Sequence, residues 1–217
     1  ENSRDFFDEE PPKFDAPLMG NQNQTSANAT DVSPSNTDAE QAEAVKTANN
    51  LKIVGNSLFA SRQYKEAIEK YSDAIKICPS NHKDAAVFFF NRATCQFKLA
   101  DYNSTIEDCS SALRIDPDYS RCLLRRAQAY ELNKKVCEAH EDYQRVLKLD
   151  SSNSIANDGA KRLEKPAAEE REKLKDEMMG KLKELGNALL GNFGLSLDNF
   201  KATQDPATGN YSISFQQ

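Results

Sequence analysis

Tryptophan is absent from these 217 residues, aromatics reach only 8%, and apolar residues only 38%. A chain so sparing of large apolar groups does not pack along its whole length. Its charged fraction, 29%, suits solvated helices joined to unstructured segments. Long hydrophobic runs are missing too: nothing approaches the roughly 18–20 apolar residues of a membrane helix, and no signal-like stretch follows the first residue. Metal ligands are equally scarce, with two histidines far apart in sequence. Cys78, Cys95, Cys109, Cys122 and Cys137 are odd in number, form no CxxC pair and sit within helical pattern. That spacing argues against a zinc site or a disulfide framework and leaves small buried fillers in a reducing compartment. No metal or cofactor is expected. The chain opens on Glu1 rather than Met, so a longer natural N-terminus is expected, and the expected compartment is the cytoplasm.

A basic excess is also lacking. The net charge is −6, a poor basis for gripping phosphates, so nucleic acid is not an expected partner. The acidity is local: residues 1–44 hold ten acids against Arg4 and Lys13, leaving residues 45–217 slightly basic. Residues 1–44, rich in Asn, Ser, Asp, Pro and Gln without apolar period, read as a disordered acidic tail. Within it Phe6-Phe7-Asp8-Glu9-Glu10 reads as ordinary tail before it reads as a short linear motif.

What is present from residue 45 is a repeat. Gly55-Asn56, Ala93-Thr94 and Ala127-Gln128 align, and so do Ala67, Thr105 and Ala139. Tyr71, Cys109 and Tyr143 share a phase, as do Ala74, Ala112 and Val146, and Ile75, Leu113 and Leu147. Pro79 and Pro117 close the first two units, with Ser151 in their place in the third. The step from unit two to unit three is 34 residues; from unit one to unit two it is 38, the surplus lying around Asn81-His82-Lys83-Asp84. Each unit reads as two short amphipathic helices joined by a tight turn, small residues marking the crossings and proline stopping the second helix. One unit cannot bury its apolar face alone, but three stacked units can.

These residues resemble the tetratricopeptide-repeat family over about 48–153, in units 48–81, 86–119 and 120–153. The resemblance implies an all-α fold: a right-handed superhelix whose first helices line a concave face. Beyond it, 154–190 reads as a capping amphipathic helix with Leu163, Ala167, Leu174, Met178, Leu182, Leu185 and Leu189 in a stripe. Pro166 is expected to kink that helix or start a new one. Its mixed charges, as in Glu172-Lys173 and Lys175-Asp176-Glu177, argue against a membrane-surface role. In 191–217, Tyr211, Ile213 and Phe215 alternate with polar residues after the turn sequence Asp205-Pro206-Ala207-Thr208-Gly209-Asn210. With Phe200, Ala202 and Gln204 as partner strand, a small β-hairpin is expected.

Polar groups on the first helices converge in the same phase. Lys52 and Asn56 are four apart, as are Arg121 and Arg125, and Asn91 stands 34 residues before Arg125. Lys98 lies further along the second unit's first helix. Three fixed cations and two amides suit a ligand with two close carboxylates, such as a peptide ending in Asp. Taken singly, basic residues four apart on a helix are more often a solvated face. Together, Lys52-x-x-Gly55-Asn56-x-x-Phe59, Asn91-Arg92-Ala93 and Arg121-x-x-x-Arg125-Arg126-Ala127 resemble the carboxylate clamp of chaperone-binding tetratricopeptide proteins. That resemblance implies a co-chaperone or adaptor taking the Glu-Glu-Val-Asp tail of the 70- and 90-kDa heat-shock chaperones. Neighbours such as Thr94 and Phe97 would set the choice between chaperones by shape. Two alternatives stand: a scaffold holding a signalling protein through the C-terminal helix and hairpin, and a groove visited by the chain's own acidic tail. Catalysis is not expected, because no nucleophile–base pair, metal triad or phosphate loop is present.

Overall fold

The computed structural model describes residues 36–191, 195–197, 200–204 and 211–215. The expectations for residues 1–35, the Phe6-to-Glu10 run included, lie outside the described residues. Three helix pairs follow one another: α1 (Asn36–Ala60) with α2 (Tyr64–Ile77), α3 (Lys83–Lys98) with α4 (Tyr102–Ile115), and α5 (Ser120–Leu132) with α6 (Val136–Leu149). A long α7 (Ser154–Gly191) completes the helices. The three pairs are all-α, in the arrangement of tetratricopeptide repeats.

Each pair turns in the same way. Arg62, Ala100 and Lys134 adopt left-handed backbone, φ 61°, 59° and 59°. Just beyond them the amides of Gln63, Asp101 and Lys135 donate back to the carbonyls of Leu58, Gln96 and Tyr130, each at 2.9 Å. This helix-ending motif satisfies carbonyls the helix leaves open and usually employs glycine. The turns recur at steps of 38 and 34 residues, the phase of the side-chain markers. The second helices end at Cys78, Asp116 and Asp150, so Pro79 and Pro117 fall just where a missing N–H costs nothing.

The marker positions form the core. Ala67, Thr105 and Ala139 are wholly buried, as are Ala74, Ala112 and Val146, and Tyr71, Cys109 and Tyr143. A Cβ on Gly55 would lie 2.7 Å from the Tyr71 ring, and one on Gly159 2.6 Å from that of Tyr143. Glycine there lets a tyrosine ring lie against helix backbone. In the second pair, Cys109 takes the place of the ring and Ala93 the place of the glycine.

Buried ion pairs bind successive repeats. Arg92 donates from Nε and Nη2 to both oxygens of Asp108, at 2.7 Å each, and from Nη1 to Ser72 Oγ of the preceding pair at 2.9 Å. Arg126 repeats this with Asp142 (2.7 and 2.9 Å) and Ser110 (3.0 Å). The bonds to Asp108 raise the Arg92 pKa against the opposing effect of burial. A planar guanidinium suits a carboxylate and a hydroxyl at once.

Two corrections concern the ends. Helix α1 begins at Asn36, inside the segment read as disordered tail. Ala39, Ala42 and Ala44 alternate there with Glu40, Gln41 and Glu43, strong helix formers whose acids suit a helix N-terminus. Average composition over 1–44 hides that stretch. Second, of the two outcomes expected at Pro166, a kink or a new helix, the second does not occur, since α7 runs on through the proline. Arg162, four residues before it, is exposed, so water can reach the carbonyl that proline, lacking an N–H, cannot bond.

The chain divides into two compact units, the first ending at Leu163 and the second beginning at Glu164. In the first, Ala156, Ala160 and Leu163 join the core of Tyr143 and Val146 and close the last repeat. Arg162 adds bonds to Glu131 at 2.7 and 2.9 Å, and Glu131 also accepts from the Tyr143 hydroxyl at 3.0 Å. In the second unit the expected covered stripe stands open. Leu174, Met178, Leu182, Leu185 and Leu189 are 55–64% exposed. Ala167, of the same stripe, is wholly buried.

The second unit also holds strands β1 (Phe200–Gln204) and β2 (Tyr211–Phe215), antiparallel, with Phe200 opposite Phe215 and Gln204 opposite Tyr211. The turn expected at 205–210 lies outside the described residues, so the hairpin as a whole is not described.

Candidate functional site

The first helices lie side by side, α3 touching both α1 and α5. Every residue of the proposed set except Lys98 makes a described contact that passes through α3 or a neighbour on it. Asn91, 5% exposed, donates from Nδ2 to Asn56 Oδ1 on α1 at 3.4 Å. Lys52 Nζ stands 6.0 Å from the centre of the Phe88 ring. The Arg121 guanidinium lies 5.9 Å over Phe90, and that of Arg125 4.6 Å over Phe97. Arg125 also donates to Gln128 Oε1 at 3.1 Å. Lys98 is exposed in the last turn of α3, next to Phe97. Among the described residues no hydrogen bond or ion pair joins it to the others.

Phe88 and Phe90 are the part that residue spacing missed, and Phe97 was expected to act by shape rather than as a ring under a cation. Phe88, Phe90 and Phe97 are at most 6% exposed, yet each carries one cation of the set. The electron-rich ring face attracts a cation without neutralising it. Burial lowers the Arg121 pKa, but guanidinium stays charged at any ordinary pH. Thr94, another neighbour of the face, is buried and spends its hydroxyl on the Phe90 carbonyl at 2.9 Å. Phe97 offers its ring rather than open space.

Asn56 has a further partner. The Tyr71 hydroxyl donates to Asn56 Oδ1 at 2.7 Å. Both donors fall on the same oxygen, which fixes the amide so that its nitrogen is the remaining hydrogen-bonding end. The sequence signal was present: Tyr71 occupies the same repeat position as Tyr143, whose hydroxyl likewise reaches across its own helix pair, to Glu131.

The cysteines take no part. Cys78, Cys95, Cys109 and Cys122 are buried, and burial pushes the Cys78 and Cys95 thiols up to about 11 and about 12. Such thiols are neither nucleophiles nor ready ligands. Among the described residues no group of three His, Cys, Asp or Glu is placed to hold a metal ion, and no helix is long and apolar enough to cross a membrane.

No family model matches the chain. The first TPR domain of the human RPAP3 protein is 30% identical, with a TM-score of 0.52; the likeness covers 59% of this chain and 98% of that domain. The chain belongs to the tetratricopeptide-repeat (TPR) family. A second TPR structure, the first such domain of Spaghetti (RPAP3) bound to the HSP90 peptide SRMEEVD, is 29% identical with a TM-score of 0.53, covering 57% of this chain and 95% of that one. The second TPR domain of human RPAP3, in complex with the HSP70 peptide SGPTIEEVD, is 27% identical with a TM-score of 0.50, covering 57% and 98%. Among whole proteins, human sperm-associated antigen 1 is 40% identical over 117 residues, 52% of this chain and 13% of that protein. The small glutamine-rich tetratricopeptide repeat-containing protein 2 of Saccharomyces cerevisiae is 36% identical over 115 residues, 53% and 32% respectively. This TPR chain thus spans less than a third of the length of either curated relative.

Proposed function

We propose that the face built on α1, α3 and α5 binds the C-terminal dicarboxylate of a peptide, and that the chain is a non-enzymatic co-chaperone or adaptor. The observation that carries this reading is the contact of Asn56 with Asn91, on a face where Lys52, Arg121 and Arg125 each lie over a phenylalanine of α3. Amide donors and fixed cations together fit a carboxylate pair. The similar TPR domains bound to peptides ending Glu-Glu-Val-Asp support the 70- and 90-kDa chaperone tails as the ligand. Partners of that kind go with a cytoplasmic setting. Within the family, the four-residue surplus after Cys78-Pro79, the run Met178-Met179-Gly180-Lys181-Leu182-Lys183, and Phe193-Gly194-Leu195-Ser196 with the Asp205-to-Phe215 ending resemble tetratricopeptide repeat protein 1 in sequence, and we propose that subgroup.

Charge-assisted hydrogen bonds are worth roughly 1.5–3 kcal/mol each, and a micromolar complex needs about 8 kcal/mol. A few such bonds with one apolar contact suffice. Calorimetry with a short peptide ending Glu-Glu-Val-Asp should give micromolar binding that weakens with salt. Amidating the peptide's C-terminus should cost at least about tenfold, since one of the two carboxylates disappears. Equal binding of the two peptides would contradict the reading.

A second reading has its own observation, the open Leu174-to-Leu189 stripe of α7. It would give the chain a separate protein partner, such as a signalling protein, on its C-terminal unit.

A further inference from the structure

We propose that Tyr71 is a positioning residue for ligand recognition: its hydroxyl holds Asn56 in the one amide orientation that turns a donor toward the bound carboxylate. This inference rests on the dicarboxylate reading above and deepens it.

An asparagine amide has two ends of opposite hydrogen-bonding sense, and a half-turn about its last bond exchanges them. At a site for an anion the two orientations are not equivalent. With Nδ2 outward the side chain donates to a carboxylate; with Oδ1 outward it presents a second oxygen and repels one. Nothing in α1 alone selects between them. The choice comes from α2, where Tyr71 donates to Asn56 Oδ1 at 2.7 Å, reinforced by Asn91 Nδ2 at 3.4 Å. The Tyr71 hydroxyl donates and Asn91 turns its Nδ2 to the same atom, so both contacts treat Oδ1 as the acceptor.

The setting keeps Tyr71 in that role. Its side chain is wholly buried, and burial raises its pKa, with the nearby Cys95 thiol adding to the effect. The phenol stays protonated and remains a donor. Gly55, next to Asn56, is what lets the ring come so near: a Cβ there would stand 2.7, 2.9 and 3.0 Å from three of the ring carbons. The Gly55-Asn56 pair and Tyr71 thus form one device. Glycine admits the ring, the ring carries the hydroxyl, and the hydroxyl sets the amide. In the second pair, Cys109 holds the Tyr71 position and Thr94 the Asn56 position; in the third, Gln128 holds the Asn56 position but the Tyr143 hydroxyl donates to Glu131 instead.

Tyr71→Phe removes the hydroxyl while keeping the ring against Gly55. Binding of a peptide ending Glu-Glu-Val-Asp, free or amidated at its C-terminus, would be measured by calorimetry on the full chain. Four proteins are compared: the parent, Tyr71→Phe, Asn56→Ala and the double variant. The expected result is a loss of about five- to tenfold for the free-acid peptide in Tyr71→Phe, the worth of one lost hydrogen bond. In the Asn56→Ala background the same substitution should change affinity less than about twofold, because there is no amide left to orient. A merely structural tyrosine would lower affinity equally in both backgrounds, and that result overturns the proposal. So does undiminished binding by Tyr71→Phe when the parent prefers the free acid. Equal binding of free and amidated peptide by the parent overturns the dicarboxylate reading and this inference together. If Tyr71→Phe does not fold, the parent still decides the matter through NMR of the Asn56 side-chain amide, assigned by its absence in Asn56→Ala. The free-acid peptide should shift that resonance pair strongly and the amidated peptide weakly; an unmoved pair overturns the proposal.

Discussion

Three cations of one face rest on three phenylalanines of a single helix, and this arrangement decides what each side chain can do. Arg125 over Phe97, at 4.6 Å, is the closest of the three. The ring holds the guanidinium in place without neutralising it. An exposed contact of this kind contributes about 0.5–1 kcal/mol, rising when water is excluded. Phe97→Leu keeps an apolar group in the core position beside Ile106 and Ala129 and removes the ring face. It should weaken free-acid peptide binding about two- to fivefold, measured by calorimetry, while the thermal melt stays cooperative. Unchanged affinity would mean that the ring only fills space. At this scale sequence reasoning reached as far as equivalence of position: a 34-residue step makes Asn91 and Arg125 counterparts. It could not reach Phe88 and Phe90, nor the cation contact of Phe97, because a phenylalanine on a helix looks the same whether it fills the core or also carries a cation.

At the scale of the element, the helix pairs were legible from their markers, since burial at Ala67, Thr105 and Ala139 follows from the need for close helix crossing. The turns were less so. Arg62, Ala100 and Lys134 occupy a backbone region that favours glycine, and none of them announces it by type. Their 38- and 34-residue steps match the repeat, so the backbone signal exists in phase rather than in identity. A left-handed residue with a Cβ costs about 1–2 kcal/mol, partly offset by the greater unfolded freedom of glycine. Lys134→Gly should therefore stabilise the chain by about 0.5–1 kcal/mol, read as a raised Tm or urea midpoint. A lowered Tm would show that the Lys134 side chain matters more than its backbone. The Arg92–Asp108 and Arg126–Asp142 pairs were also hidden, although each member repeats at 34 residues. Scattered charges on amphipathic helices read as solvent-facing, and only packing shows that these two pairs are not.

Taken whole, the chain divides its labour between two compact units, the first ending at Leu163 and the second running from Glu164. The first contains every residue of the candidate site and its own cap, Ala156, Ala160 and Leu163. A chain ending after Lys165 should bind the free-acid peptide within about twofold of the full chain, since no described site contact is lost. A partner held by the Leu174-to-Leu189 stripe would be lost on the same truncation. A large drop in peptide affinity would place part of the site in the second unit. The amphipathic period of α7 was visible in sequence, but periodicity identifies a face and not what covers it, and Leu174 to Leu189 stand exposed. The start of α1 was obscured for the opposite reason, an average over 1–44 masking the helix formers at 39–44.

The claim on which the functional account turns is that Arg125 meets a ligand carboxylate. The most direct measurement is calorimetric titration of the parent and Arg125→Ala with the free-acid peptide ending Glu-Glu-Val-Asp, at one salt concentration. The account predicts at least about a tenfold loss in the variant, the worth of one charge-assisted bond; affinity equal to the parent's would contradict it.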